Sequence, residues 1–196
     1  APIVGRPERV GAASGRVAEM LTFGHGRLDR EELAHLLTGA GVEQLVDIRR
    51  FPGSRSNPAA AQGQVEDLAR EIGVGYRHDE RLGGRRRLSK EEDASSPDSW
   101  WRVAQFRAYA AWTRTPEFRA GLDELLALDG TVAIMCSEAV WWRCHRRIVA
   151  DVLVLEHGRS VQHLMHDGTL KEHPSSESAR RGARGYLEWP ASDDER

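Results

Sequence analysis

The chain reads as an α/β protein: a single domain on a mainly parallel, open sheet of about five strands, with helices on both faces, Rossmann-like in plan. Three observations carry this. Short apolar runs at 18–23, 44–49, 74–78, 131–135 and 161–165 alternate with segments whose apolar residues recur at helical spacing. The runs are too far apart for hairpins, so successive strands need helical crossovers, which makes the sheet parallel. Several runs end abruptly in polar, glycine-containing stretches, as strands do where they open onto a ligand edge.

Residues 1–17 carry Gly, Pro and scattered Arg without periodicity and read as a flexible arm ahead of a domain spanning 18–166. The first strand, AEMLTF, ends in Gly24-His25-Gly26. Asp29, with Glu32 three residues on, spells a capping box for a helix that buries Leu33, Leu36, Leu37 and Ala40 and stops at Gly41. The second strand, QLVDIR, leads into FPGSRSNP, a loop by composition. A helix over about 62–72 follows, then a short strand at 74–78. Residues 88–99 are polar with Ser-Ser-Pro and read as a mobile excursion, after which Trp100-Trp101 begin a helical stretch through Trp112. Thr115-Pro116-Glu117 starts the next helix with Pro in its first turn. The run at 131–135, a helix to about residue 156 and a fifth strand at 161–165 complete the domain, and 167–196 reads as a polar tail.

The chain has 196 residues, 40% hydrophobic and 30% charged, enough to bury a core without disulfides. No apolar segment is long enough to cross a bilayer and the N-terminus has no signal-peptide core, so a cytoplasmic location, away from membranes, is expected. The net charge of −2 conceals a bias: lysine occurs only at Lys90 and Lys171, so 26 of the 28 basic residues are arginine. Both cysteines fall within 131–150, TVAIMCSEAVWWRCHRRIVA, around which the rest of the chain is arranged.

In a parallel sheet the carboxyl ends of the strands share one edge, which here gathers His25, Asp47, Arg49, Arg55, His78, Cys136, Glu138 and His145. Cys136 and Cys144 suit a nucleophile and its partner, since a helix start beside His145 and Arg146 favours thiolate. They also suit plain buried packing. The usual Cys-x2-Cys or His-x3-His pairing is absent, so no metal or other cofactor is assigned. Asp47 and Glu138 have the chemistry for general acid and base work, or for holding Arg49 and Arg146 in salt bridges. Arg49, Arg50, Arg55, 85–87 and Arg146-Arg147 place guanidinium groups around one cleft, which suits phosphate. The paired tryptophans offer stacking surfaces for bases, or simply cleft walls.

The ordered set GHG at 24–26, VDIRRFPGSRSNP at 46–58, LGG at 82–84, FRAYAAW at 106–112 and MCSEAVWWRCHRRIVAD at 135–151 resembles the domain-of-unknown-function family 488. The resemblance covers roughly residues 20–166 and implies an α/β fold without a settled reaction. The positions that match its motifs include His25, Asp47, Arg49, Ser54, Arg55, Asn57, Cys136, Glu138, Cys144, His145 and Arg146.

Three functions are compatible with these residues. The first is an enzyme, hydrolase- or glycosidase-like, on a phosphate-bearing substrate: nucleic acid, a nucleotide or a phosphorylated small molecule. Glu138, Cys136, Asp47 and His25 would do the chemistry, and Arg49, Ser54, Arg55, Asn57, Cys144, His145 and Arg146 would hold the substrate. Glycosidic cleavage in damaged DNA, a form of DNA repair, would suit the two carboxylates. The second is a non-catalytic module that binds nucleic acid or a nucleotide. The third is a thiol redox or metal-responsive protein.

Overall fold

The computed structural model describes residues 18–192, so the arm at 1–17 lies outside the described residues. Its centre is a six-stranded sheet in the order β3-β2-β4-β1-β5-β6. The strands are β1 (Glu19–Gly24), β2 (Gln44–Asp47), β3 (Gly75–His78), β4 (Thr131–Cys136), β5 (Val161–Leu164) and β6 (Leu170–Glu172). The first five pair in parallel, and β6 adds an antiparallel edge. The expectation of a mainly parallel α/β sheet holds.

Helices α1 (Arg30–Gly39) and α2 (Gln64–Glu71) cover one face; α4 (Ala104–Trp112), α5 (Pro116–Leu126) and α6 (Arg146–Leu155) cover the other. The pleat sorts β4 between two cores. Val132, Ile134 and Cys136 pack toward α4–α6, while Ala133 and Met135 pack toward α1 and α2. Because both faces are covered, the strand is apolar throughout, which is why it reads as a continuous run.

Helix ends follow local chemistry. The Asp29–Glu32 capping box opens α1 with both reciprocal bonds made. Thr115 accepts from the Phe118 N–H at the start of α5, with Pro116 in the first turn. Thr115→Ala is expected to cost about 1 kcal/mol, read as a lower urea midpoint at unchanged slope.

Three expectations need correction. The excursion at 88–99 is ordered: α3 (Lys90–Ala94) has its own Ser89–Glu92 capping box, and Asp93 and Asp98 form ion pairs with Arg107 and Arg114 on and just after α4. The two tryptophans at 100–101 precede α4 rather than begin it. The stretch after 166 is no loose tail. It supplies β6, the ribbon β7 (Arg180–Arg181) with β8 (Leu187–Glu188), and Trp189, which is fully buried in the α4–α6 core. Among the described residues no helix is long and apolar enough to cross a membrane.

Candidate functional site

The carboxyl ends of β1 and β4 lie side by side, with Gly24 in register with Cys136. The chain leaving β4 folds over the end of β1. His25 and Gly26 donate backbone bonds to the carbonyls of Cys136 and Ser137 at 2.9 and 3.0 Å. A Cβ on Gly24 would sit 1.7 Å from the Glu138 carbonyl oxygen, so only glycine allows this approach. After that loop, the 3-10 turn Trp141–Arg143 brings Cys144 and His145 back beneath the end of β4, and α6 begins at Arg146.

A cleft of about 640 Å³ opens at this edge. His25, Arg49, Ser54, Arg55, Cys136, Glu138, Cys144 and His145 line it, together with Arg50, Arg85, Arg143, Gln105 and Tyr109. Asp47, Asn57 and Arg146 lie behind the walls, and His78 Nε2 donates to the Arg49 carbonyl at 2.7 Å. Thus several predicted residues meet in one cavity, and three act on it from behind.

Asp47 is completely buried and grips Arg49 with both oxygens, at 2.9 and 2.6 Å, while Tyr76 donates to it at 3.1 Å. Those bonds leave it no path to a substrate, so of its two expected roles the structure presents the salt bridge. Arg49 is itself nearly saturated, donating also to the Ala60 carbonyl at 2.6 Å and to His25 Nε2 at 3.3 Å. His25 must then accept through Nε2 and donate from Nδ1 to the Gly26 carbonyl at 3.0 Å. Burial and the Arg49 charge lower its pKa, which keeps the ring neutral. Asn57 donates to the carbonyls of Gly26 and Leu28 and receives the Ala59 N–H, so it ties the 50–58 loop to the end of β1. Ser54 accepts from the Asn57 N–H within that loop.

The floor is different. Cys136 Sγ lies 3.9 Å and Cys144 Sγ 3.6 Å from His145 Nδ1, and the ligand atoms of the three residues lie within 4.8 Å of one another. Arg146 Nε donates to Cys144 Sγ at 3.4 Å from below. The hydrogen bond to Cys144 and burial push the Cys136 thiol up. Burial opposes ionisation of Cys144, but the Cys136 hydrogen bond, His145 and Arg146 outweigh it and hold that thiol well below its ordinary range. His145 packs at 4.8 Å edge-on to the Tyr109 ring, and a Cβ on Gly84 would meet its Nδ1 at 2.7 Å. Its Nε2 is buried with no hydrogen-bond partner among the described residues.

Beneath Arg146 runs a buried chain that the sequence did not signal. Arg146 Nη1 donates to Thr22 Oγ1 at 3.4 Å, and Thr22 Oγ1 lies 2.7 Å from His163 Nδ1. His163 Nε2 is 2.9 Å from His173 Nδ1, and His173 Nε2 is 2.9 Å from Asp151 Oδ1. Arginine at one end only donates, and the Asp151 carboxylate at the other, which also receives Trp189 Nε1 and the Ser176 N–H, only accepts. Burial, with His173 and Arg146 nearby, lowers the His163 pKa and keeps that ring neutral. Trp141 stacks on His163 at 4.2 Å and 7°. Only Trp142, half exposed, is left as a free stacking surface in that pair.

Around the mouth the charge is positive. Arg55, Arg85 and Arg143 are exposed and Arg50 is half-buried, and none is in an ion pair among the described residues. Among the described residues Glu138 is the one carboxylate lining the cleft, with Oε1 accepting from the Val140 N–H at 3.0 Å. Arg143 and Tyr109 were not singled out as site residues by the sequence. Arg143 was legible only by its place in the turn between the two cysteines.

Fold and site define a class: a parallel α/β protein with an arginine-rimmed cleft over a thiol–imidazole cluster at the strand carboxyl ends. The chain belongs to the family described as Domain of unknown function DUF488, whose model matches residues 29–153. Among curated proteins and among solved structures, no match is found.

Proposed function

We propose that this protein is an enzyme acting on a phosphate-bearing substrate, a nucleotide or nucleic acid, with its reacting group held over Cys136, Cys144 and His145. One observation carries the reading: four arginines with no carboxylate partner among the described residues surround a cavity whose floor carries Cys136, Cys144 and His145. Guanidinium forks match phosphate oxygens, and at this mouth only Glu138 competes for them. A hydrolytic reaction, and repair of damaged DNA within it, are the finer forms of the same reading. Glycosidic cleavage by a carboxylate pair is the less favoured form, because Asp47 is sealed under Arg49 and Tyr76.

The test is a binding titration against salt with nucleotides and short single- and double-stranded oligonucleotides, with every mixture analysed for products. If a single strand engages all four arginines, log Kobs should fall with log salt at a slope of about −3. Arg55→Ala and Arg143→Ala should each reduce the slope by about 0.7. Cys144→Ser should abolish product while leaving binding largely intact. Binding by the parent without any product would favour a non-catalytic module instead. Absence of salt-sensitive binding to any of these ligands would overturn the phosphate reading.

A further inference from the structure

We propose that Cys136, Cys144 and His145 form a binding site for one thiophilic divalent cation such as zinc, with its fourth position open to the cleft. The inference deepens the reading above, because it identifies what would hold a phosphate oxygen or water at the cleft floor. Sequence spacing argued against a metal, since the cysteines are eight positions apart and lack a paired motif. The fold overrides that argument. Cys136 ends β4, the 3-10 turn Trp141–Arg143 reverses the chain, and Cys144 and His145 return to the same point.

The distances match the chemistry. With metal–sulfur bonds of ~2.3 Å and metal–nitrogen bonds of ~2.0–2.1 Å, a tetrahedral ion sets sulfur and nitrogen about 3.5–3.6 Å apart. Here His145 Nδ1 stands 3.6 Å from Cys144 Sγ and 3.9 Å from Cys136 Sγ, both within a few tenths of an ångström of that span, and the three ligand atoms all lie within 4.8 Å of one another. A hydrogen-bonded trio could explain the short contacts alone, but His145 aims a single nitrogen at both sulfurs, which is how three ligands stand around one shared ion. Arg146, fixed from behind by Thr22 and the Glu138 carbonyl, offsets the charge that two thiolates would bring. Two thiolates and one imidazole favour a soft or borderline ion over magnesium or calcium. Three protein ligands and a solvent-facing fourth place are the pattern of a reactive site rather than a closed structural one.

Cobalt(II) is a suitable probe because it reports both coordination number and sulfur ligation. The reduced full-length protein titrated with cobalt(II) should saturate at one equivalent and develop tetrahedral d–d absorption with sulfur charge-transfer bands in the near ultraviolet. Zinc should displace it. Cys136→Ser and Cys144→Ser should each lose most of the charge-transfer intensity, and His145→Ala should weaken binding at least about tenfold. Inorganic phosphate should shift the d–d bands if the fourth position is open. No bands in the folded parent, or bands that survive both cysteine substitutions, would overturn the site. Bands indifferent to phosphate would overturn the open position. A buried Cys136–Cys144 disulfide, seen as loss of two titratable thiols without reductant and of cobalt binding with it, would count against the metal site. Because these bands do not depend on a nucleotide, failure here and failure of salt-sensitive ligand binding are separate results.

Discussion

Replacing Asp47 with Ala is expected to destabilise the protein by about 3–5 kcal/mol, a large part of what a domain of this size usually has. Asp47 is fully buried and Arg49 nearly so, and the carboxylate takes three bonds from Arg49, two from its guanidinium and one from its backbone N–H. Without Asp47 the guanidinium stays buried with its charge uncompensated, and its remaining acceptors, the Ala60 carbonyl and His25, are neutral. Removing both partners with Asp47→Leu and Arg49→Leu should cost less than Asp47→Ala alone, because no lone charge is left behind. Urea unfolding of the parent and the two variants at pH 7 checks this. A loss below about 1 kcal/mol for Asp47→Ala would mean that water reaches Arg49 readily, and the pair would then have little structural role. The same experiment bears on the site, since Arg49 links the end of β2 to the loop carrying Ser54 and Arg55.

The sheet was legible because each parallel strand is an apolar run between segments of helical period, and burial on both faces is what makes such a run continuous. The part beyond residue 166 was not. β6 has three residues and β7 and β8 two each, too few for any period to show. Trp189 looks like a single aromatic in a polar stretch, yet it is sealed by Trp101 and by its bond to Asp151. Polar composition likewise made 88–99 look mobile. What orders it is the choice of Arg107 and Arg114 as partners for Asp93 and Asp98, a tertiary fact with no local trace.

For the site, the strand-end rule found His25, Cys136 and Glu138 but could not say which side of the pleat carries the cleft floor. Asp47 and Arg49 end β2 on the side of α1 and α2, whereas Cys136 belongs to the α4–α6 core. One strand end therefore supplies a buried brace and another the sulfur that lines the cleft floor. Spacing also hid how Cys136, Cys144 and His145 come together, for a related reason. A ligand motif counts residues along one turn, while this cluster is closed by a strand end meeting a returning loop.

The second large effect concerns acid. His163 is pushed down to about 3, chiefly by burial and then by His173 and Arg146. In the unfolded chain an ordinary histidine titrates near about 6.5. A depressed folded pKa means that the unfolded state takes up the proton first. The stabilisation is therefore complete above about pH 6.5, and it is lost as pH falls toward 3. One such group steepens the dependence by up to about 1.4 kcal/mol per pH unit and amounts to roughly 5 kcal/mol across the window. The physical cost is plain in the geometry. A proton on His163 Nδ1 would face the Thr22 hydroxyl hydrogen and add a second cation behind Arg146. Chemical unfolding between pH 7.5 and 4 should thus show a steep acid limb in the parent and a shallower one in His163→Gln, by about one proton. The variant begins from a lower plateau because Thr22 and His173 lose a matched partner. Limbs of equal slope would mean that His163 titrates alike folded and unfolded, and the chain from Arg146 to Asp151 would then not depend on a neutral ring.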